Sequence, residues 1–235
     1  MFEHHLNGNI CNASMIERQD HTRKRVIASG TAFACTARMS PMSGNDAIRP
    51  AAPRVKLTYD DFLLFPDDGK RHELIDGEHY MTPSPNTTHQ RIVGNLHWLI
   101  RSHLEIHPAG EVFVAPFDVV FTNFDIVEPD LLYVSRSRAG DILTPMHVKG
   151  APDLVVEVAS KKTRRRDEMI KRRLYERSNV TEYWVVDPEI NVIRVYRRTG
   201  DRFDRAIELS LESADVLTTP LLPGLEMPLH RVFPA

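Results

Sequence analysis

From residue 55 onward the apolar positions follow a period that changes along the chain. Thr58, with Asp61 three residues on and Phe62, Leu63 and Phe65 to bury, predicts a short capped helix that Pro66 stops. Residues 72–75 read as a strand, Asp76-Gly77 as a hairpin turn and 78–82 as the return strand, before Pro83 and Pro85 break the pattern. Ile92, Val93, Leu96, Leu99, Ile100 and Leu104 recur at helical spacing and predict a helix from Asn86 or Thr87 to about His107. Residues 111–121 are β-rich but interrupted by Pro116, and 126–134 read as one further strand. Residues 153–159 are almost continuously apolar, as in a strand covered on both faces. A helix over 163–178, strands over 182–186 and 192–196 joined by the turn at Asp187-Pro188, a strand near 206–209 and a proline-punctuated tail complete the reading. This order predicts an α/β fold with a central mixed sheet flanked by helices. There is no internal repeat, glycine-rich phosphate loop or HExxH pattern.

The first 54 residues lack either period and are rich in Asn, Ser, Thr, Ala and Met, so they predict a poorly ordered extension ahead of a domain at 55–235. They hold seven basic and four acidic residues, a net of +3, which leaves 23 basic against 28 acidic from residue 55 on. The average of -2 for the 235 residues therefore hides an acidic domain behind a basic leader. That balance argues against a protein that merely coats nucleic acid. Arg23-Lys24-Arg25 before an apolar run imitates a secretory signal, but Ser29, Gly30 and Thr31 interrupt the run and over twenty residues precede it. Met39 or Met42 is an alternative natural start. Cys11 and Cys35, with no later cysteine, fit a reducing compartment, and no run of about 18 apolar residues predicts a membrane span. A cytoplasmic protein is expected.

The chemically informative acids lie in apolar surroundings. Glu157 interrupts Leu154-Val155-Val156 and Val158, where an ionised carboxylate needs a partner or a metal. Asp130 follows Pro129, and proline in a strand marks an edge or bulge that can re-aim the next side chain. Asp153 shares a strand face with Glu157, but four residues of strand span about 13 Å, too far to chelate one ion. Asp130 and Glu157 can do so if their strands are neighbours. On the helix at 163–178, Leu174 and Tyr175 bracket Lys171, with Arg164 and Asp167 near the same line. Arg165, Arg166, Arg172, Arg173 and Arg177 fall on the opposite arc, which predicts a solvated basic face. Lys171 is thus turned inward, where a snorkelling stem or an ion pair with Asp167 is the plainer explanation. His89 shares a face with Val93 and Leu96, and Glu73 with Ile75; a satisfied core histidine and a pairing of Glu73 with Arg71 or His72 are their plain readings.

Together these residues resemble a known family. The run Glu73-Leu74-Ile75-Asp76-Gly77-Glu78, then Pro83-Ser84-Pro85 and His89, is similar to the opening of the Uma2 (Uma-two) family, a large bacterial family of restriction-endonuclease-like proteins. Pro129-Asp130, the run from Gly150 to Val158, Thr163-Arg164-Arg165-Arg166-Asp167, Lys171 and Glu182-Tyr183-Trp184-Val185-Val186-Asp187-Pro188 continue the resemblance in order across residues 55–235. That family resembles the PD-(D/E)XK nucleases. The resemblance implies a restriction-endonuclease-like α/β core and catalytic roles for Asp130, Glu157, Lys171 and Glu73. Asp130 and Glu157 would bind Mg²⁺, for which Mn²⁺ can substitute, and Glu73 would hold a second ion or position a water. Lys171 would orient the attacking water or stabilise transition-state charge. It stands in for the lysine that the motif carries where this chain has Ala159. Weaker substrate contacts are expected from His89, Arg164 and Arg165, with Lys161 and Lys162 nearby. The activity implied is Mg²⁺-dependent hydrolysis of phosphodiester bonds in DNA, by a homodimer where two strands are cut. Two alternatives stay open: a nuclease-fold binding module without efficient catalysis, and a nuclease directed at RNA.

Overall fold

The computed structural model describes residues 55–82, 84–160 and 164–234. The expectations for residues 1–54 and for Lys161 and Lys162 lie outside them. Helix α1 (Tyr59–Phe62) carries the capping box read from Thr58 and Asp61, with the Thr58 amide donating to Asp61 Oδ2 at 2.8 Å. Strands β1 (Arg71–Ile75) and β2 (Glu78–Thr82) form the hairpin, and Asp76 and Gly77 both have positive φ, 55° and 74°, as a two-residue turn requires. Helix α2 (Thr87–Ile106) is capped by Asn86 and buries Ile92, Leu96, Leu99, Ile100 and Leu104 along the stripe its spacing predicts.

Strands β3 (Gly110–Val114) and β4 (Val119–Thr122) stand on either side of Pro116. Residues 126–134 are not one strand. They divide into β5 (Asp125–Val127) and β6 (Leu131–Ser135), which belong to different sheets. Pro129 has no N–H to give to a ladder, so the chain leaves one sheet there and enters the other. Asp130 sits at this junction, immediately before β6. Helix α3 (Arg136–Ile142) has no counterpart in the sequence reading, because it buries only Ile142 and shows no stripe. After β7 (Val148–Lys149) and β8 (Leu154–Val158) the chain winds as a π-helix (Arg166–Lys171) that continues into α4 (Arg172–Arg177). Strands β9 (Glu182–Asp187), β10 (Val192–Thr199), β11 (Arg202–Phe203), β12 (Ile207–Ser210), β13 (Val216–Leu217) and β14 (Met227–Pro228) lead to α5 (Leu229–Val232).

The main sheet has seven strands in the order β11-β10-β9-β8-β6-β3, with β12 also paired to β10. It is mixed as expected: β8 and β9 are parallel, while β6 and β8 are antiparallel. A second sheet of five strands, β2-β1-β5-β4-β7, packs on it where the sequence reading expected a single sheet. One face of the main sheet, with Leu131, Leu154, Val156 and Trp184, meets α2 and the C-terminal segment. The other, with Leu132, Val155, Tyr183 and Val185, meets Leu174 and Tyr175 of α4 and Val119 and Val127 of the second sheet. By strand alternation Glu157 points the same way as Val155, into this second core. No helix among the described residues is long and apolar enough to cross a membrane.

Candidate active site

Strand register brings the two key acids together. Leu131 pairs with Val156 and Leu132 with Val155, so one more step of the same antiparallel ladder sets Asp130 opposite Glu157. Both carboxyls are buried, each 2% exposed, and both line a cavity of about 370 Å³. The π-helix and β1 deliver the other two residues from the second-core side. Lys171 is fully buried and donates to Glu73 Oε1 at 2.7 Å and to Glu157 Oε1 at 2.8 Å. A single ammonium thus bridges two carboxyls 84 residues apart in the chain. Tyr175 Oη also donates to Glu157 Oε1, at 2.6 Å.

Each acid keeps a different charge balance. Burial pushes the Glu157 carboxyl up to about 8; Lys171 opposes the rise, while Asp130, Asp167 and Glu73 add to it. Burial would also raise Glu73, but Lys171 and Arg166 outweigh it and hold the carboxyl below its ordinary range. Asp130 is held well below the usual carboxylate range despite burial: His89 donates to Oδ2 at 3.0 Å, Arg71 to Oδ1 at 2.7 Å and the Val158 amide to Oδ2 at 2.8 Å. Among the described residues no three His, Cys, Asp or Glu side chains stand in a ready metal-holding arrangement. Positive charge within the cluster comes from Lys171, Arg71 and Arg166.

The donor set still suits a hard cation. Asp130 and Glu157 offer only oxygen ligands at the wall of an open cavity, the kind Mg²⁺ takes together with several waters. Burial and the neighbouring acids lift the Glu157 carboxyl, and a cation beside it would oppose that rise as Lys171 does. Arg71 occupies one Asp130 oxygen, so an arriving cation would share or displace that contact.

Two expected contacts take a different course. Arg164 does not line the cavity; its guanidinium donates to Asp187 Oδ1 at 2.7 Å and Glu189 Oε2 at 3.0 Å. Arg166 does not face solvent with the other arginines. Its side chain is 11% exposed and reaches Thr82 Oγ1 at 2.9 Å and Glu73 at 3.7 Å. The cause is the π-winding. An i→i+5 turn takes more residues than the 3.6 of an α-turn, so Arg166 and Lys171, five apart, come back toward one side. Arg172 leans over the Tyr196 ring and Arg177 binds Asp125 at 2.6 Å, so Arg165 and Arg173 are what remains of the expected open basic face.

The sequence profile of the Uma2 family, described as "Putative restriction endonuclease", matches residues 59–230. The chain belongs to the Uma2 family. Among solved structures it resembles the crystal structure of a protein from Anabaena variabilis ATCC 29413, described as a "putative nuclease belonging to DUF820". The likeness has a TM-score of 0.64 at 19% identity and covers 75% of this chain and 97% of that one, which speaks to the fold. No curated protein sequence matches the chain. Family and fold together support a nuclease acting on nucleic acid.

The Uma2 chain also gives site residues partners that the sequence reading did not assign. Arg71 was readable as a neighbour of Glu73, two residues away on the same face of β1, but its partner Asp130 is 59 residues distant. Tyr175 stood four residues after Lys171 as an apolar bracket, and only its hydroxyl makes it part of the site. Asp167 is buried at the cavity wall. His89 lies on the first turn of α2, its amide bound to the Asn86 cap and its ring to Asp130. Its Nδ1 is buried and meets no hydrogen-bond partner among the described residues.

Proposed function

We propose that this chain is a divalent-metal-dependent endonuclease that hydrolyses phosphodiester bonds of DNA. The observation that carries the reading is Lys171: it comes from a helix and binds Glu157 directly, which supports the replacement of the lysine missing at Ala159. Asp130 and Glu157 would hold Mg²⁺, or Mn²⁺ in its place. Such an ion lowers the pKa of a water and offsets charge on the phosphate. Lys171 is out of solvent and shared with Glu73, so its part is to position Glu157 and lend charge to the site. Glu73 anchors that lysine and receives the Glu128 amide at 3.1 Å, which ties the hairpin to the segment that crosses from β5 to β6. His89 orients Asp130 through its ring. Cutting both strands of a duplex would call for two copies of the chain.

The test is cleavage of plasmid and single-stranded DNA with Mg²⁺ or Mn²⁺. Activity is expected in the wild type and is expected to fall at least about a hundredfold in Asp130→Ala and Glu157→Ala, as loss of transition-state electrostatics does. Equal rates for wild type and Asp130→Ala would remove the assignment. A second reading, a nuclease-fold binding module, draws on Arg71, which satisfies Asp130 without any ion. Calorimetry separates the two: Mg²⁺ binding that vanishes in both acid variants supports the enzyme, and its absence in the wild type supports the module. RNA in the same cleavage assay tests the remaining alternative.

A further inference from the structure

Beside the acidic cavity lies a larger one of about 880 Å³. The two share Thr82, Ser84 and Arg166 in their walls, so they adjoin. The floor of the larger groove is apolar and faces solvent: Met81 is 52% exposed, Met169 46% and Ile170 37%. Three part-exposed apolar side chains thus share one groove. Every charged residue in its described lining is a cation. Lys70 is held by Asp68 at 2.7 Å and Arg166 leans on Glu73, but Arg165 and Arg173 are exposed. Arg165, Met169 and Arg173 are spaced four residues apart in the chain, and all three line the groove.

We propose that this groove seats an unpaired nucleotide next to the bond to be cut. The base lies flat on Met81, Met169 and Ile170, and the flanking phosphates meet Arg165 and Arg173. A duplex keeps its base faces stacked inside and offers the groove only phosphates, which would leave the apolar floor wet. A single strand, or a duplex opened at that point, offers both surfaces at once. The inference rests on the nuclease reading and adds to it a substrate class: single-stranded nucleic acid.

Fluorescence anisotropy with labelled oligonucleotides tests this on the full chain in EDTA, where nothing is cut. The single strand is expected to bind about tenfold more tightly than a duplex of the same sequence, a difference that burying a base face on the apolar floor can supply. Met169→Ser combined with Ile170→Ser should remove most of that preference and leave duplex binding nearly unchanged. Arg165→Ala and Arg173→Ala should weaken both polymers and lower the single-strand salt slope by roughly 0.7 each. Both apolar side chains are exposed, and circular dichroism checks that the variants fold. Equal affinity for the two polymers would overturn the inference, as would a preference that survives the double substitution. Cleavage by the same proteins keeps the two readings apart. A wild type that binds single strands in the groove but cuts nothing retains the groove and removes the nuclease. A wild type that cuts duplex and single strand equally, with no loss in the double variant, does the reverse.

Discussion

Lys171 donates to Glu73 and Glu157 at once, and one ammonium cannot neutralise two carboxylates. The structure resolves the conflict by holding Glu73 ionised and keeping a proton on Glu157, up to about pH 8. This has a thermodynamic consequence in the metal-free protein. The unfolded chain releases the Glu157 proton near 4.5, whereas the folded chain keeps it, so stability falls as pH rises from about 4.5 to about 8 and levels off beyond. Glu157→Gln is neutral in both states and is expected to lose most of that slope. Glu128, which burial raises to about 7 against the pull of Arg71, contributes a smaller slope of the same sign that the variant keeps. Asp130 acts the other way and in another window: its depressed carboxyl supports the fold above its ordinary value of 3.8, and that support is lost on acidification. Urea unfolding in EDTA between about pH 5 and pH 8 measures the difference; parallel curves for wild type and Glu157→Gln would refute this charge assignment.

Two elements set the site's geometry, and the glycines beside them separate packing from propensity. Gly110 opens β3 against β6, where an added Cβ would meet the Val134 carbonyl and the Tyr133 ring, itself bound through Oη to Ala109. Gly94 lies inside α2 with nothing within 4 Å of the Cβ it lacks. Gly110→Ala is therefore expected to cost about 1–3 kcal/mol by forcing β3 off β6. Gly94→Ala should stabilise by about 0.5–1 kcal/mol, because alanine costs less backbone entropy in a helix interior. Denaturant midpoints check both signs. The hairpin, α2 and the buried strand β8 were legible as elements, since each rests on a period or a turn within a few residues. The division of 126–134 between two sheets was foreshadowed by Pro129 but not deducible, because proline marks a break without saying where the chain goes next. The π-winding of 166–171 was hidden in the same way: a pattern read at 3.6 residues per turn places Arg166 outside, and the extra residue per turn brings it in.

The fold taken together concentrates unlike charges side by side. Residues 55–235 carry 23 basic and 28 acidic side chains, yet the acids gather at Asp130, Glu157, Glu73 and Asp167 while Arg165 and Arg173 border the adjoining groove. A buried acidic cluster closed by its own cations should bind a divalent ion only in the folded state, which raises the melting temperature with ion concentration. Added Mg²⁺ is expected to stabilise the wild type, and removal by EDTA to reverse the gain, with no response in Asp130→Ala or Glu157→Gln. Differential scanning fluorimetry across a Mg²⁺ titration reads this out independently of cleavage. A shift of equal size in the variants would place the ion elsewhere.

The amino-acid order alone was enough for the class of fold, for most elements and for the suspicion attached to Asp130, Glu157, Lys171, Glu73 and His89. Period, capping and turn chemistry act over a few residues, and an acid inside an apolar run is conspicuous wherever it folds. Partnership was another matter. Lys171 meets Glu73 across 98 residues and Arg71 meets Asp130 across 59, distances closed by strand order and by the crossing from one sheet to the other. Which carboxyl keeps its proton, which arginine turns inward and which cavities adjoin all follow from those long-range neighbours. Local sequence carries no record of them, because electrostatic and packing energies depend on what lies within a few ångströms in space, whatever the separation along the chain.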